Sequence, residues 1–177
     1  SWDVGETPNK EVSGKIPNAR TGKSNLGLLL GDIDYEGTVK WGVTTSRSYL
    51  PKDNSADFAG GESILDWLRQ FASKEEDDNT FLRGFLGRML FSGDEVNKPV
   101  NVLSGGEKVR VMLSKLMLLK SNVLVLDDPT NHLDLESISS LNDGLKNFKE
   151  SIIFASHDHE FIQTLANHII VLSKNGV

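Results

Sequence analysis

Residues 122–134 read NVLVLDDPTNHLD. Four apolar residues, 123–126, run directly into Asp127, Asp128 and Pro129. An unbroken apolar run of this length has the form of a strand buried on both faces of a parallel sheet, and in such sheets ligands gather at the carboxyl ends of the strands. Two adjacent carboxylates there repel each other, and a buried carboxylate is costly unless a cation or a proton partner stands beside it. The pair therefore demands partners, unless the stretch is only a strand ending in a turn with Asp-Pro as its punctuation.

Around this strand the chain alternates helix and strand. Val109, Met112, Leu113, Leu116 and Met117 form one helical stripe before it, and Leu135, Ile138, Leu141, Leu145 and Phe148 form a second after it. Residues 152–155 and 168–172 read as further strands, separated by a short helix carrying Phe161, Ile162 and Leu165. Continuous apolar strands alternating with amphipathic helices predict an α/β fold with a mainly parallel sheet covered on both faces. Asp127, Asp128 and His157 then all sit at strand ends.

Towards the amino end the pattern changes. Residues 60–120 are dominated by helix: SILDWLRQF, then Phe81, Leu82, Phe85, Leu86, Met89 and Leu90 at helical spacing, with the charge run SKEEDDN between them as a solvated loop. Further back, SNLGLLLGDIDYEGTVKWG offers a short apolar helix, a turn and a strand at 38–41. The first 22 residues are polar, rich in Gly, Pro and Asn, and predict loop or tail.

The composition bounds the class of protein. At 177 residues, with 38% hydrophobic and 25% charged residues, the chain is an ordinary globular sequence with room for one domain and its core, or one and a half at most. A net charge of −6 does not advertise nucleic-acid binding, although a local basic face can sit on an acidic protein. No apolar run approaches the roughly 18 residues of a membrane-spanning helix, residues 1–20 lack a signal-peptide pattern, and the absence of cysteine excludes disulfides and thiolate metal sites. These features predict a soluble, unexported protein.

Three further motifs carry chemistry. TGKSNL, residues 21–26, has the end of a phosphate-binding loop, in which a helix N-terminus holds phosphate, Lys23 reaches the β and γ phosphates and the Ser24 hydroxyl binds Mg²⁺. The full pattern wants a glycine where Pro17 stands. LSGGEKVRV, residues 103–111, opens with a capping box of Ser104 and Glu107, which gives both a structural reason. Gly105 and Gly106 weaken a helix start by about 1 kcal/mol each, but permit close backbone approach of an anionic ligand. SHDHEF, residues 156–161, follows a strand: His157 is a candidate hydrogen-bond donor to a γ-phosphate, or a surface histidine before a helix capped by Asp158. His132, His159 and His168 have no metal-ligand spacing.

In this order, GKS, LSGGE, the strand ending in aspartates, PTNHLD and SHD resemble the ATP-binding cassette ATPases. NHLD and the run GRMLFSGDEVNKPVNVLSGGEKVRV resemble the ABC-F branch, and its second cassette most closely. The resemblance implies a P-loop ATPase core at residues 21–177 with a helical subdomain at about 60–120, preceded by a poorly defined segment at 1–20. It further implies ATP and Mg²⁺ as ligands: phosphate bound by Gly22, Lys23 and Ser24, metal supported by Ser24 and Asp127, Asp128 at the catalytic carboxylate and His157 at the switch histidine. Ser104, Gly105 and Gly106 would contact the γ-phosphate held by a second cassette, and Asp134 lies in the loop that crosses to it. The expected parent is a cytoplasmic, ribosome-associated translation or antibiotic-resistance factor without membrane insertion.

Besides Pro17 and the missing strand before the phosphate loop, and the absence of a partner cassette and linker, the sequence departs from the family's pattern at two site positions. Lys52 stands where a Mg²⁺-contacting glutamine is usual, and Asp128 where glutamate is usual. Two rival readings follow. One is the nucleotide-binding subunit of a membrane transporter, which NHLD and the missing glutamine count against. The other is an ATP-gated clamp with negligible hydrolysis.

Overall fold

A computed structural model describes residues 12–15, 26, 36–131 and 133–170. The chain divides into two compact units, Arg47–Ala166 and a smaller one made of Ser1–Ser46 with Asn167–Val177.

In the smaller unit β1 (Val12–Lys15) pairs antiparallel with β2 (Glu36–Val39), Val12 opposite Val39 and Lys15 opposite Glu36. The expected strand at 38–41 is therefore present but starts two residues earlier. β1 stands inside the stretch expected to be loop or tail, the rest of which lies outside the described residues. Its four residues, VSGK, have no apolar run to announce them, and their ladder comes from a partner more than 20 residues away in sequence. Residues 168–170 are not in a strand; the rest of the strand expected there lies outside the described residues, as does most of the helix expected after Ser24.

The larger unit is built on a three-stranded parallel sheet in the order β3 (Arg47–Leu50), β4 (Val123–Asp127), β5 (Ser151–Ala155). Leu124, Val125 and Leu126 are fully buried, as the central strand of a sheet covered on both faces requires. β3 is the strand that periodicity overlooks. In RSYL, Ser48 and Leu50 are buried, and Ser48 is satisfied by a 2.6 Å hydrogen bond between its hydroxyl and that of Ser121. A paired serine can occupy a core position at little cost, but it breaks the apolar signature.

Between β3 and β4 the described chain forms helices: α1 (Ile64–Arg69), α2 (Asn79–Arg88) and α3 (Gly105–Leu118), with short 3-10 turns between them. α4 (Leu135–Lys146) connects β4 to β5, and α5 (His159–Leu165) follows β5. Side-chain caps start each helix: Ser63, Asp78, Ser104, Asp134 and Asp158 accept from the backbone N–H of the third residue of their helices. Leu82, Leu86 and Met89 enter the core as their spacing predicts, whereas Phe81, Leu90 and Leu135 at the stripe ends are exposed. Phe58 stacks on Trp67 at 4.9 Å, and the Trp67 indole N–H donates to the Asp57 carbonyl at 2.9 Å. The SKEEDDN stretch is solvated as its charge predicts, all but Glu76 being exposed, and Glu76 pairs with Lys120 and Asp77 with Arg69.

Candidate active site at the carboxyl ends of the sheet

The aspartate pair sits where β4 leaves the sheet. Asp127 is the last residue of the strand and is 7% exposed. The Asp128 backbone N–H donates to the Ala155 carbonyl at 2.9 Å, after which φ of +49° turns the chain out of the ladder. Aspartate tolerates this left-handed conformation better than most residues. The turn gives the two side chains different surroundings. Asp127 Oδ2 accepts from the Tyr49 hydroxyl at 3.5 Å, and Asp128 Oδ2 pairs with Lys52 Nζ at 3.1 Å. Both partners come from β3 and the residues just after it, so the repulsion posed by the sequence is relieved by two separate neighbours.

The turn after the pair is fixed to the end of β5. The Thr130 and Ser156 hydroxyls lie 3.2 Å apart, and the Ser156 hydroxyl also accepts from the Asp158 backbone N–H at 3.1 Å. Asp158 in turn accepts from the Phe161 N–H at 2.8 Å and starts α5. His157 lies between these anchors, exposed, on the same sheet edge as the aspartates. Its place is therefore determined by neighbours on both sides.

The signature turn forms a second cluster. The Glu107 N–H donates to Ser104 Oγ at 3.2 Å and the Ser104 N–H to Glu107 Oε2 at 2.8 Å, completing the expected capping box. Lys98 Nζ donates to Glu107 Oε1 at 2.9 Å. Burial pushes the Glu107 carboxyl up, but hydrogen bonds from the Ser104 N–H, the Lys98 ammonium and the Ser104 hydroxyl together hold it below the ordinary glutamate range.

The two glycines of this turn are not equivalent. A Cβ on Gly105 would meet nothing within 4 Å, which leaves room for a ligand. A Cβ on Gly106 would lie 2.9 Å from Ser137 Cβ and closer still to its Oγ. Gly106 therefore has a packing reason of its own beside any role in ligand approach. That reason brings LSGGE and NHLD together, because Ser137 is also the residue whose N–H donates to Asp134 Oδ1 at 2.8 Å. Asp134 is exposed, and its hydrogen bonds with Ser137 hold its carboxyl below the usual range.

Gly22, Lys23 and Ser24 lie outside the described residues. The described residues contain no group of three or more His, Asp or Glu side chains able to enclose a metal. A lone buried carboxylate such as Asp127 fits Mg²⁺, which commonly takes one or two protein carboxylates and completes its shell with water and substrate phosphates. Tyr49 and Ser137 lie outside the motifs, and Thr130 and Ser156 lie inside PTNHLD and SHDHEF without a role marked for them. The only trace of them in sequence is that hydroxyl residues crowd the strand ends, and Lys52 stands out solely as a departure from the family's pattern.

The family model described as ABC transporter matches residues 21–131, more than half of the chain, including Ser104–Gly106 and the aspartate pair. The chain belongs to the ABC transporter family. Over 90% of its length this cassette is 56% identical to the ABC transporter ATP-binding protein YkpA of Bacillus subtilis, and over 84% it is 37% identical to ABC transporter F family member 5 of Arabidopsis thaliana. It spans only 31% and 22% of those two proteins. Among solved structures it is similar to the RNase-L inhibitor, with a TM-score of 0.62 and 24% identity over 80% of this chain and 27% of that one. It is also similar to a metal-chelate type ABC transporter, with a TM-score of 0.59 and 21% identity over 80% and 60%. These likenesses establish the fold as that of ABC P-loop ATPases. No helix among the described residues is long and apolar enough to cross a membrane.

Proposed function

We propose that this cassette binds and hydrolyses ATP with Mg²⁺ as one half of two composite sites, in a parent protein that carries a second cassette and works on the ribosome in the cytoplasm. The observation that carries the reading is the aspartate pair, two adjacent carboxylates held apart on separate partners at the carboxyl end of the central strand. Family membership supports ATP as the ligand, and the F family relatives together with NHLD support the ribosome over a membrane partner.

In this mechanism Gly22, Lys23 and Ser24 hold the phosphates, and Asp127 and Ser24 hold the metal, which when bound neutralises developing charge on the transferred phosphoryl group. Asp128 orients the attacking water and accepts its proton, with its backbone held by the β4 exit turn. His157, set by the Ser156 and Asp158 anchors, donates to the γ-phosphate and reports its presence. Ser104, Gly105 and Gly106, at the amino end of α3, face a nucleotide held by the other cassette, whose approach the open space at Gly105 permits.

Two measurements test this. Specific ATPase activity of the isolated cassette should be low and should rise with concentration or with addition of a second cassette. Turnover by a demonstrated monomer, independent of concentration, would contradict the composite site. The full protein, blocked in hydrolysis and supplied with ATP, should sediment with ribosomes. Copurification with membrane subunits instead would favour a transporter.

A further inference from the structure

The Lys52–Asp128 pair follows from strand register. β3 and β4 run parallel with Leu50 opposite Leu126, so the residues two positions further on, Lys52 and Asp128, emerge side by side where both chains leave the sheet. Their contact at 3.1 Å thus lies just beyond the last paired residues, where the register brings the two chain exits together. Exposure of the two side chains is unequal: 17% for Asp128 and 57% for Lys52. A carboxylate with little freedom meets an ammonium that solvent still reaches.

We propose that Lys52 is a positioning residue for Asp128: its ammonium holds Oδ2, fixing the carboxylate plane so that the other oxygen faces the attacking water. The inference rests on the ATPase reading above. Asp128 is a short side chain on a left-handed backbone, with one carbon between Cα and carboxyl. Its reach is set by the backbone, and its remaining freedom is rotation about two bonds. An ammonium from the neighbouring strand limits that rotation. Because the ion pair is partly solvated, it is too weak to withhold the carboxylate from substrate, and orientation is the role its strength allows.

The test uses the full protein carrying this cassette and compares Lys52→Met, Lys52→Arg, Asp128→Ala and the double variant Lys52→Met/Asp128→Ala. Misplacement of about 1 Å at a reacting group costs on the order of a hundredfold in rate, so partial loss of orientation in Lys52→Met should lower kcat by about ten- to a hundredfold. Affinity for a non-hydrolysable ATP analogue should change less than about twofold, since uniform binding is untouched. Lys52→Arg should recover most of the rate. In the Asp128→Ala background, Lys52→Met should change nothing further, because the group it positions is gone. Lysine side-chain NMR of the nucleotide-free protein should show a Lys52 ammonium signal that shifts in Asp128→Ala, a readout of the pair independent of turnover. A faster kcat in Lys52→Met would overturn the proposal by making the lysine a brake, and a collapse in analogue affinity would overturn it by making the lysine a phosphate ligand. An unchanged kcat beside normal parent turnover would overturn positioning alone. Absence of turnover and of nucleotide binding in the parent would instead refute the ATPase reading, and the inference with it.

Discussion

Replacing each signature glycine by alanine separates packing from ligand access. At Gly106 the added methyl would lie 2.9 Å from Ser137 Cβ, about 1 Å inside an ordinary carbon–carbon contact. Ser137 is 7% exposed and its N–H is committed to Asp134, so α4 has little freedom to retreat. Overpacking of this kind costs about 1–3 kcal/mol. Against it stands the better helix propensity of alanine, worth up to about 1 kcal/mol. The net expectation for Gly106→Ala is a loss of about 0–2 kcal/mol. Gly105→Ala meets nothing within 4 Å and keeps only the propensity term, a gain of up to about 1 kcal/mol. Urea denaturation of both variants should thus place Gly105→Ala above Gly106→Ala by about 1–3 kcal/mol. Equal midpoints, or the reverse order, would refute the packing argument. If Gly105 serves ligand approach, its alanine variant should pair higher stability with impaired turnover.

Two further outcomes follow from the same geometry. Asp127→Asn should weaken Mg²⁺-dependent nucleotide binding while leaving metal-free binding nearly unchanged, as titration of affinity against Mg²⁺ would show; equal weakening with and without metal would remove Asp127 from the metal site. Glu107 and Asp134 titrate below their ordinary ranges in the folded protein, so at acid pH the unfolded chain binds more protons. Their contribution is fully present above the ordinary carboxylate range, about pH 4, and is lost as pH falls through the depressed folded values. Glu107→Gln should flatten that acid limb in denaturation midpoints measured between neutral and acid pH, and an unaltered limb would contradict the assignment.

What could be read from the sequence was whatever repeats locally. The buried run of β4, the stripe of α3 and the helix caps at Ser104 and Asp158 lie within a few residues of the features that announce them, and each is where its pattern puts it. β3 escaped because Ser48 is buried against Ser121, 73 residues away, and no local pattern records that partner. β1 escaped for the same reason, its ladder lying across the chain from it. Phe81, Leu90 and Leu135 show the opposite failure: helical spacing marks a face but not where the core beneath it ends. At the site, the motif identified Asp127 and Asp128 but not what keeps them from repelling each other. Tyr49 and Lys52 reach them through the parallel register of β3 on β4, which is a tertiary fact. The glycines of LSGGE could not be told apart until Ser137 was seen against one of them.

In the proposed mechanism Asp128 handles the attacking water while Asp127 handles the metal. Single-turnover hydrolysis measured beside nucleotide affinity in the full protein, for Asp128→Asn and Asp128→Glu, tests it most directly. Asn keeps the size and the turn but loses the proton acceptor, so hydrolysis should be abolished with ATP still bound. Glu extends the carboxylate by one methylene and should preserve or raise turnover. Hydrolysis by Asp128→Asn at the parent rate would contradict the account and leave the second aspartate as the punctuation of a strand end.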